Sequence, residues 1–328
     1  MSAPDSPAWC RWIPALALGA ACTAAAAPPG NDPLEWLQRA AQAARSASYS
    51  GTYAHSNGDR TSVIRITHVT VGKDEQERIE PLDGPPHEIV RHNDDMFCYF
   101  PDAKTVRLDR RVSARFFPAI FSAPASTVAA NYVPSLGKTE NVIGYDCQWI
   151  QLQPKDALRY PQSVCSEMNT GLVIRSKTFN AQRQVIEQYT FTDLRIGQAV
   201  PKNEVKSTFE ARVKRWFTDT RPRDESKGVA TGWAVNDPPA GFQKVTELHR
   251  TMPGRPAPVS QLVFSDGVAS ISVFVEANSA PPRTAEASSE DGTTTFFVHP
   301  MGDMLVSVLG EVPLATAQQV ARSVARRP

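Results

Sequence analysis

The sequence predicts a two-domain α+β protein built mostly from antiparallel β-sheet. Three observations carry that prediction. Most of the chain reads as short extended runs broken by turn residues. Asn57-Gly58 and Asp266-Gly267 give two strong hairpin signals, and clear helical periodicity is confined to the two ends. Many strands joined by tight turns favour one antiparallel sheet, curved or partly closed, over βαβ units. The 328 residues suffice for two domains.

The chain opens on what reads as an export segment, residues 1–27. Arg11 supplies a positive charge, Trp12 to Cys22 is a short apolar run, and Ala24-Ala25-Ala26 resembles a cleavage site. The run is too short to cross about 30 Å of hydrocarbon as a helix. Gly19-Ala20-Ala21 is a poor lead-in to lipid modification of Cys22, because a large aliphatic residue is expected at its start. The mature chain is expected in the periplasm.

The first domain is expected over residues 31–217. Asp32 is placed to cap a helix whose first residue is Pro33, and Glu35 falls at the capping-box position. Leu34, Leu37, Ala41 and Ala44 recur at helical spacing, with Trp36 and Ala40 widening the stripe. Strands are expected at 49–55, 61–69, 77–82, 87–91, 96–100, 105–110, 140–143, 145–153, 163–168, 172–180 and 185–194. The apolar stretch 115–130 lacks a strand period and is assigned one or two short helices. Residues 218–232 are polar and charged, as a linker would be.

A smaller α+β domain is expected over 233–326. Hairpins join 259–265 to 267–276 and 293–299 to 304–311, while 279–292 reads as a loop. Pro313 precedes a final helix with a Thr316/Gln319 capping box. Ala317, Val320, Ala321 and Val324 form its buried stripe, and Arg322, Arg326 and Arg327 lie at its C-terminal end.

Of five cysteines, Cys98, Cys147 and Cys165 lie beyond the export segment. Cys147 and Cys165 sit in consecutive strand runs that fold back around Asp156-Ala157, so a cross-strand disulfide is expected. Cys98, between Phe97 and Tyr99, reads as a buried free thiol.

Charge is nearly balanced, 35 Lys and Arg against 34 Asp and Glu, so no global field exists to hold a nucleic acid. No P-loop, G-x-S-x-G or G-x-G-x-x-G run occurs, and no Cys-x-x-Cys or paired-histidine spacing suits a metal. No cofactor is implied, and the chain reads as a binding protein, not an enzyme. Two features invite a binding role. Phe116, Phe117 and Phe121 either line or cover an apolar cavity or belong to ordinary core. The segment 202–223 interleaves Lys214, Arg215, Arg221 and Arg223 with Trp216. It suits an acidic peptide or a lipid phosphate, or else is a solvated strand face and linker.

Several runs, in order along nearly the whole mature chain, resemble the MucB/RseB family of periplasmic sigma-E regulators. They include Leu82-Asp83-Gly84-Pro85-Pro86-His87-Glu88, Phe117-Pro118-Ala119-Ile120, Pro154-Lys155-Asp156-Ala157-Leu158-Arg159-Tyr160, Ser265 through Glu276, and Gly310-Glu311-Val312-Pro313. The resemblance implies an N-terminal half-open β-barrel like that of the lipoprotein carriers (LolA/LolB-like). It implies binding to the periplasmic region of a membrane-anchored anti-sigma factor, which is shielded from proteolysis. It also implies relief of that binding by lipid, lipopolysaccharide or lipoprotein. Alternatives are a lipid or lipoprotein carrier and a hydrolase with an unrecognised site. Self-association stays open.

Overall fold

A computed structural model describes residues 30–93, 95–110, 116–198, 200–201, 203–219, 230–252, 257–278 and 283–327. The expected export segment, Arg221 and Arg223 lie outside these residues.

Helix α1 (Pro33–Ser46) starts as its residues dictate: the Asp32 side chain accepts from the Leu34 N–H at 2.9 Å, and Pro33 fills the first turn. Its buried stripe is rotated from the expected one. Trp36, Leu37, Ala40, Ala43 and Ala44 face the core, while Leu34 is exposed at the helix start.

Among the described residues, twelve strands follow α1 in the first sheet. They are β1 (Tyr49–Asn57), β2 (Arg60–Val71), β3 (Asp74–Pro81), β4 (Glu88–His92), β5 (Asp95–Phe100) and β6 (Thr105–Arg110), then β7 (Tyr132–Val142), β8 (Tyr145–Pro154), β9 (Gln162–Glu167), β10 (Val173–Phe179) and β11 (Val185–Ile196). Helix α2 (Ala125–Asn131) sits between β6 and β7, and a short β12 (Phe217–Asp219) comes last. They form one 12-stranded sheet in the order β12-β6-β5-β4-β3-β2-β1-β11-β10-β9-β8-β7. Two antiparallel meanders thus lie side by side, joined where β1 pairs with β11. Only β12 runs parallel to its neighbour, β6.

The β1–β11 seam carries a bulge at Thr52/Tyr53, beside Gly51. A Cβ at Gly51 would lie 2.3 Å from the Asp193 carbonyl oxygen, so this position has no room for a side chain. Strand β7 begins eight residues earlier than the sequence suggested. Its first half is held by hairpin pairing with β8, which outweighs the weak strand pattern of Tyr132–Thr139.

Cys147 and Cys165 are joined, with Cα atoms 5.4 Å apart. They are diagonal, not directly opposite: Cys147 pairs with Glu167 and Cys165 with Trp149. Cys98 stays outside the disulfide and is only half-buried, because its strand β5 lies near the β12 edge of the sheet, where less of the core covers it.

The second sheet has six strands in the order β14-β15-β16-β19-β18-β17. These are β14 (Gln243–Arg250), β15 (Val259–Ser265), β16 (Ser270–Ala277), β17 (Ala287–Asp291), β18 (Thr294–Met301) and β19 (Met304–Gly310), preceded by β13 (Trp233–Val235). Strand β17 falls in the stretch read as loop, since pairing with β18 orders its Ser- and Glu-rich residues.

Helix α3 (Leu314–Arg322) packs Ala317, Val320 and Ala321 on this sheet. It departs from expectation at both ends. Pro313 is its cap, so Thr316 lies inside the helix and forms no capping box. The chain then leaves the helix, and β20 (Val324–Arg326) pairs with β13. Arg326 lies over the Trp233 ring and Arg327 bonds Glu247 instead of extending the helix. Burial raises the Glu247 carboxyl, but hydrogen bonds from Lys244, Thr231 and Arg327 outweigh it and bring it down to about 2.

Replacing Cys147 and Cys165 by Ser should lower the unfolding free energy by about 3 kcal/mol, the loop-closure value for a bridge of this span. Denaturant titration of oxidised protein and the double variant checks this. Peptide mapping without reductant should find Cys98 outside that bridge.

Candidate partner interface at the joint between the sheets

Three loop residues, Asp156, Arg159 and Asp266, meet Tyr132 at the start of β7 where the two sheets join. Asp266, in the β15–β16 turn, has one carboxylate oxygen held by the backbone N–H groups of Val268 (2.9 Å) and Ala269 (2.8 Å). Its other oxygen accepts from Arg159 at 2.7 Å and from the Tyr132 hydroxyl at 3.2 Å. Both members of the Arg159–Asp266 pair are fully buried in the side chain.

The guanidinium uses its whole donor fork. It donates to both oxygens of Asp156 at 3.1 Å and to the Ala240 carbonyl. Its flat faces lie over Tyr132 (5.6 Å) and Phe242 (5.1 Å). Two charges buried together are tolerable because each is hydrogen-bonded as well as paired. Burial, then the Asp266 charge, pushes the Tyr132 hydroxyl well above its ordinary range.

Around this centre the two halves pack closely at two glycines. A Cβ at Gly241 would lie 1.9 Å from Asn131 Oδ1, and one at Gly267 would lie 2.5 Å from the Ala123 Cβ. Both glycines have positive φ, +82° and +97°, so shape and space alike exclude other residues. Cross-links between the sheets include Ser122 N–H to Gly267 O (2.9 Å), Thr316 hydroxyl to Leu158 O (2.9 Å) and Thr293 N–H to Asn57 Oδ1 (3.0 Å), with an Arg60–Asp291 ion pair beside them.

Behind the joint lies an aromatic cluster. Phe117 stacks on Tyr189 at 5.1 Å and packs edge-on to Tyr53, while His55 stacks on Tyr189 at 4.0 Å and bonds Glu187 at 2.9 Å. Glu311, at the end of β19, keeps contact with solvent but is crowded by protein. That crowding, with the Glu187 and Asp266 charges, raises its carboxyl from 4.5 to about 7.

Two crevices flank these elements. One, of about 870 Å³, lies between the sheets and is lined by Gln151, Arg159, Tyr160, Asn180, Arg183 and Glu290 among others. The other, of about 780 Å³, lies between α1, the β2–β3 turn and the start of α2.

The residues singled out from sequence divide. Phe117 and Phe121 are buried in the first core, and Phe116 is half-buried with Arg91 over its ring at 6.0 Å. Lys214, Arg215 and Trp216 sit near β12, away from the joint in strand order. The charged centre of the joint was missed: Asp266 reads as a turn residue and Arg159 as a loop cation, and nothing local marks either as buried. Among the described residues no group of three His, Cys, Asp or Glu is placed to hold a metal.

These features define a class, a two-domain β-sheet protein whose halves are locked by a buried charge pair and bordered by open crevices. The chain belongs to the MucB/RseB family. The model of the MucB/RseB N-terminal domain matches residues 32–209, and that of the C-terminal domain matches residues 227–325. The sigma factor AlgU regulatory protein MucB of Pseudomonas aeruginosa is 30% identical over 298 residues, covering 89% of this chain and 90% of that protein. The sigma-E factor regulatory protein RseB of Salmonella typhimurium is 22% identical, covering 92% of each. The solved complex of Pseudomonas aeruginosa MucA and MucB contains a chain with TM-score 0.74 and 27% identity, covering 90% of this chain and 99% of that one. A second structure, of MucB with MucA(peri), gives TM-score 0.73 and 26% identity.

Two measurements test the joint. Arg159→Ala strands a buried carboxylate and should cost about 3–5 kcal/mol, splitting one unfolding transition into two. The Glu311 shift has a definite sign. A carboxyl raised in the native state stabilises fully below its unfolded value of 4.5, and that contribution is lost as pH rises through about 7. Glu311→Gln should therefore melt higher than wild type at pH 8 and alike at pH 4, as read by calorimetry.

Proposed function

We propose that this chain is a periplasmic regulator that binds the periplasmic region of a membrane-anchored anti-sigma factor. By shielding that region from proteolysis it restrains a sigma-E-type envelope stress response. One observation carries the reading. The likeness to MucB in its solved complex with MucA spans both sheets and the joint between them, covering 90% of this chain and 99% of that one. The regulatory names of the relatives support it further.

The finer parts of the reading rest on physical grounds. Residues 1–27 serve as a cleaved export signal. Residues 31–217 form the first domain, with the LolA/LolB-like half-open barrel, and 218–232 the linker. The second domain covers 233–326. The half-barrel reading is supported by the two unpaired sheet edges, β12 and β7, and by α1 packed across the sheet. The chain acts by binding, without catalysis. Its crevices border the joint, so a segment seated between the sheets is sensitive to how they are set.

Lipid, lipopolysaccharide or lipoprotein relieves the restraint. A ligand that weakens partner binding by some factor is itself weakened by the partner by the same factor. Burial of acyl chains supplies ample free energy, about 0.8 kcal/mol per CH₂.

The test is a pull-down from membrane extracts with the chain as bait, followed by a protection assay. An anti-sigma factor should be recovered, and its periplasmic segment should be cleaved more slowly in the complex. Saturating lipid should reduce the affinity at least tenfold. Recovery of lipoproteins alone would favour a carrier instead, and affinity unmoved by lipid would refute the switch.

A further inference from the structure

Residues 203–216, which lead into β12, pass along the outer face of the large sheet. The Thr208 N–H and hydroxyl bond the Glu88 carboxylate, and Arg78 donates to the Lys206 carbonyl. Phe209 packs on Trp216 at 5.6 Å, which leaves Trp216 half-buried. Held in this way, the segment turns its last residues outward. Phe217 is 61% exposed, the most exposed large hydrophobic side chain among the described residues.

Cations lie close to that residue along the chain and beside its ladder partner. Arg212, Lys214 and Arg215 precede it and are exposed. Lys104 is also exposed and directly precedes Thr105, the ladder partner of Phe217; its carbonyl accepts from the Phe217 N–H at 2.9 Å. Among the described residues none of these four makes an ion pair, whereas the nearby Glu210 lies 4.0 Å from Lys206. An exposed phenylalanine beside cations that have no ion-pair partner among the described residues is a combination that an anionic, partly apolar phase can receive.

We propose that this edge is a docking surface for an anionic phospholipid bilayer. The ring enters the boundary between headgroups and acyl chains, Trp216 sits at headgroup level, and the cations meet the lipid phosphates. A peptide is a poorer match, because no groove adjoins this edge among the crevices described above. This inference stands apart from the regulatory reading and does not depend on it.

Co-sedimentation of the purified protein with vesicles tests the proposal. Vesicles of phosphatidylethanolamine with about a quarter phosphatidylglycerol should retain the protein, less so as salt rises, and pure phosphatidylcholine vesicles should not. The double variant Lys214→Gln/Arg215→Gln should weaken partitioning by about 25-fold, at about fivefold per charge. Phe217→Ser should weaken it on its own. Val133→Ser, at an exposed apolar position on the opposite edge strand β7, should leave it unchanged. Wild-type protein that ignores anionic vesicles, or binds neutral ones equally, would overturn the proposal, as would patch variants that bind like wild type. Patch variants that lose the anti-sigma segment but keep the vesicles would assign the edge to a peptide.

Discussion

The pairing of Arg159 with Asp266 is the contact on which the arrangement of this molecule depends. Each sheet has its own core, so each can bury its apolar surface without the other. What fixes their mutual setting is a charge from each, fully buried at 2.7 Å, with backbone amides, Asp156, Tyr132 and the Ala240 carbonyl completing the coordination. A hydrophobic interface of the same size tolerates sliding. A buried ion pair does not, because any displacement strands a charge away from water.

That constraint explains the local sequence. Gly241 and Gly267 occur at positive φ where the Asn131 and Ala123 side chains occupy the space of a Cβ, and Thr316 forgoes a helix cap to donate across the joint. It also places Glu311 near the Glu187 and Asp266 charges, which with the surrounding protein raise its carboxyl. An element that holds two domains in one setting yet responds to charge is a suitable place for a partner or ligand to act, provided it binds one setting better than the other.

Much of the fold was legible from local signals. Asp32 and Pro33 mark the first helix, Asn57-Gly58 and Asp266-Gly267 mark their turns, and Cys147 and Cys165 mark neighbouring strands. The illegible parts are set by strand partners. The pairing of β1 with β11 and the strand β20 follow from neighbours far along the chain, whereas the early start of β7 and the strand β17 come from hairpin pairing that outweighs weak strand sequences. The site was harder still. Arg159 and Asp266 stand in polar loop sequences, 107 residues apart, and only the packing of one sheet on the other buries them. The family resemblance drew on the runs that contain both residues without revealing that they touch.

The central claim is that the joint holds the two sheets in the setting that the anti-sigma segment recognises. Titration calorimetry of the purified periplasmic segment into wild-type protein and into Asp266→Ala measures this directly, with circular dichroism showing that both sheets remain folded. The account predicts at least a tenfold loss of affinity in the variant. An unchanged affinity, with the joint demonstrably broken, would contradict it.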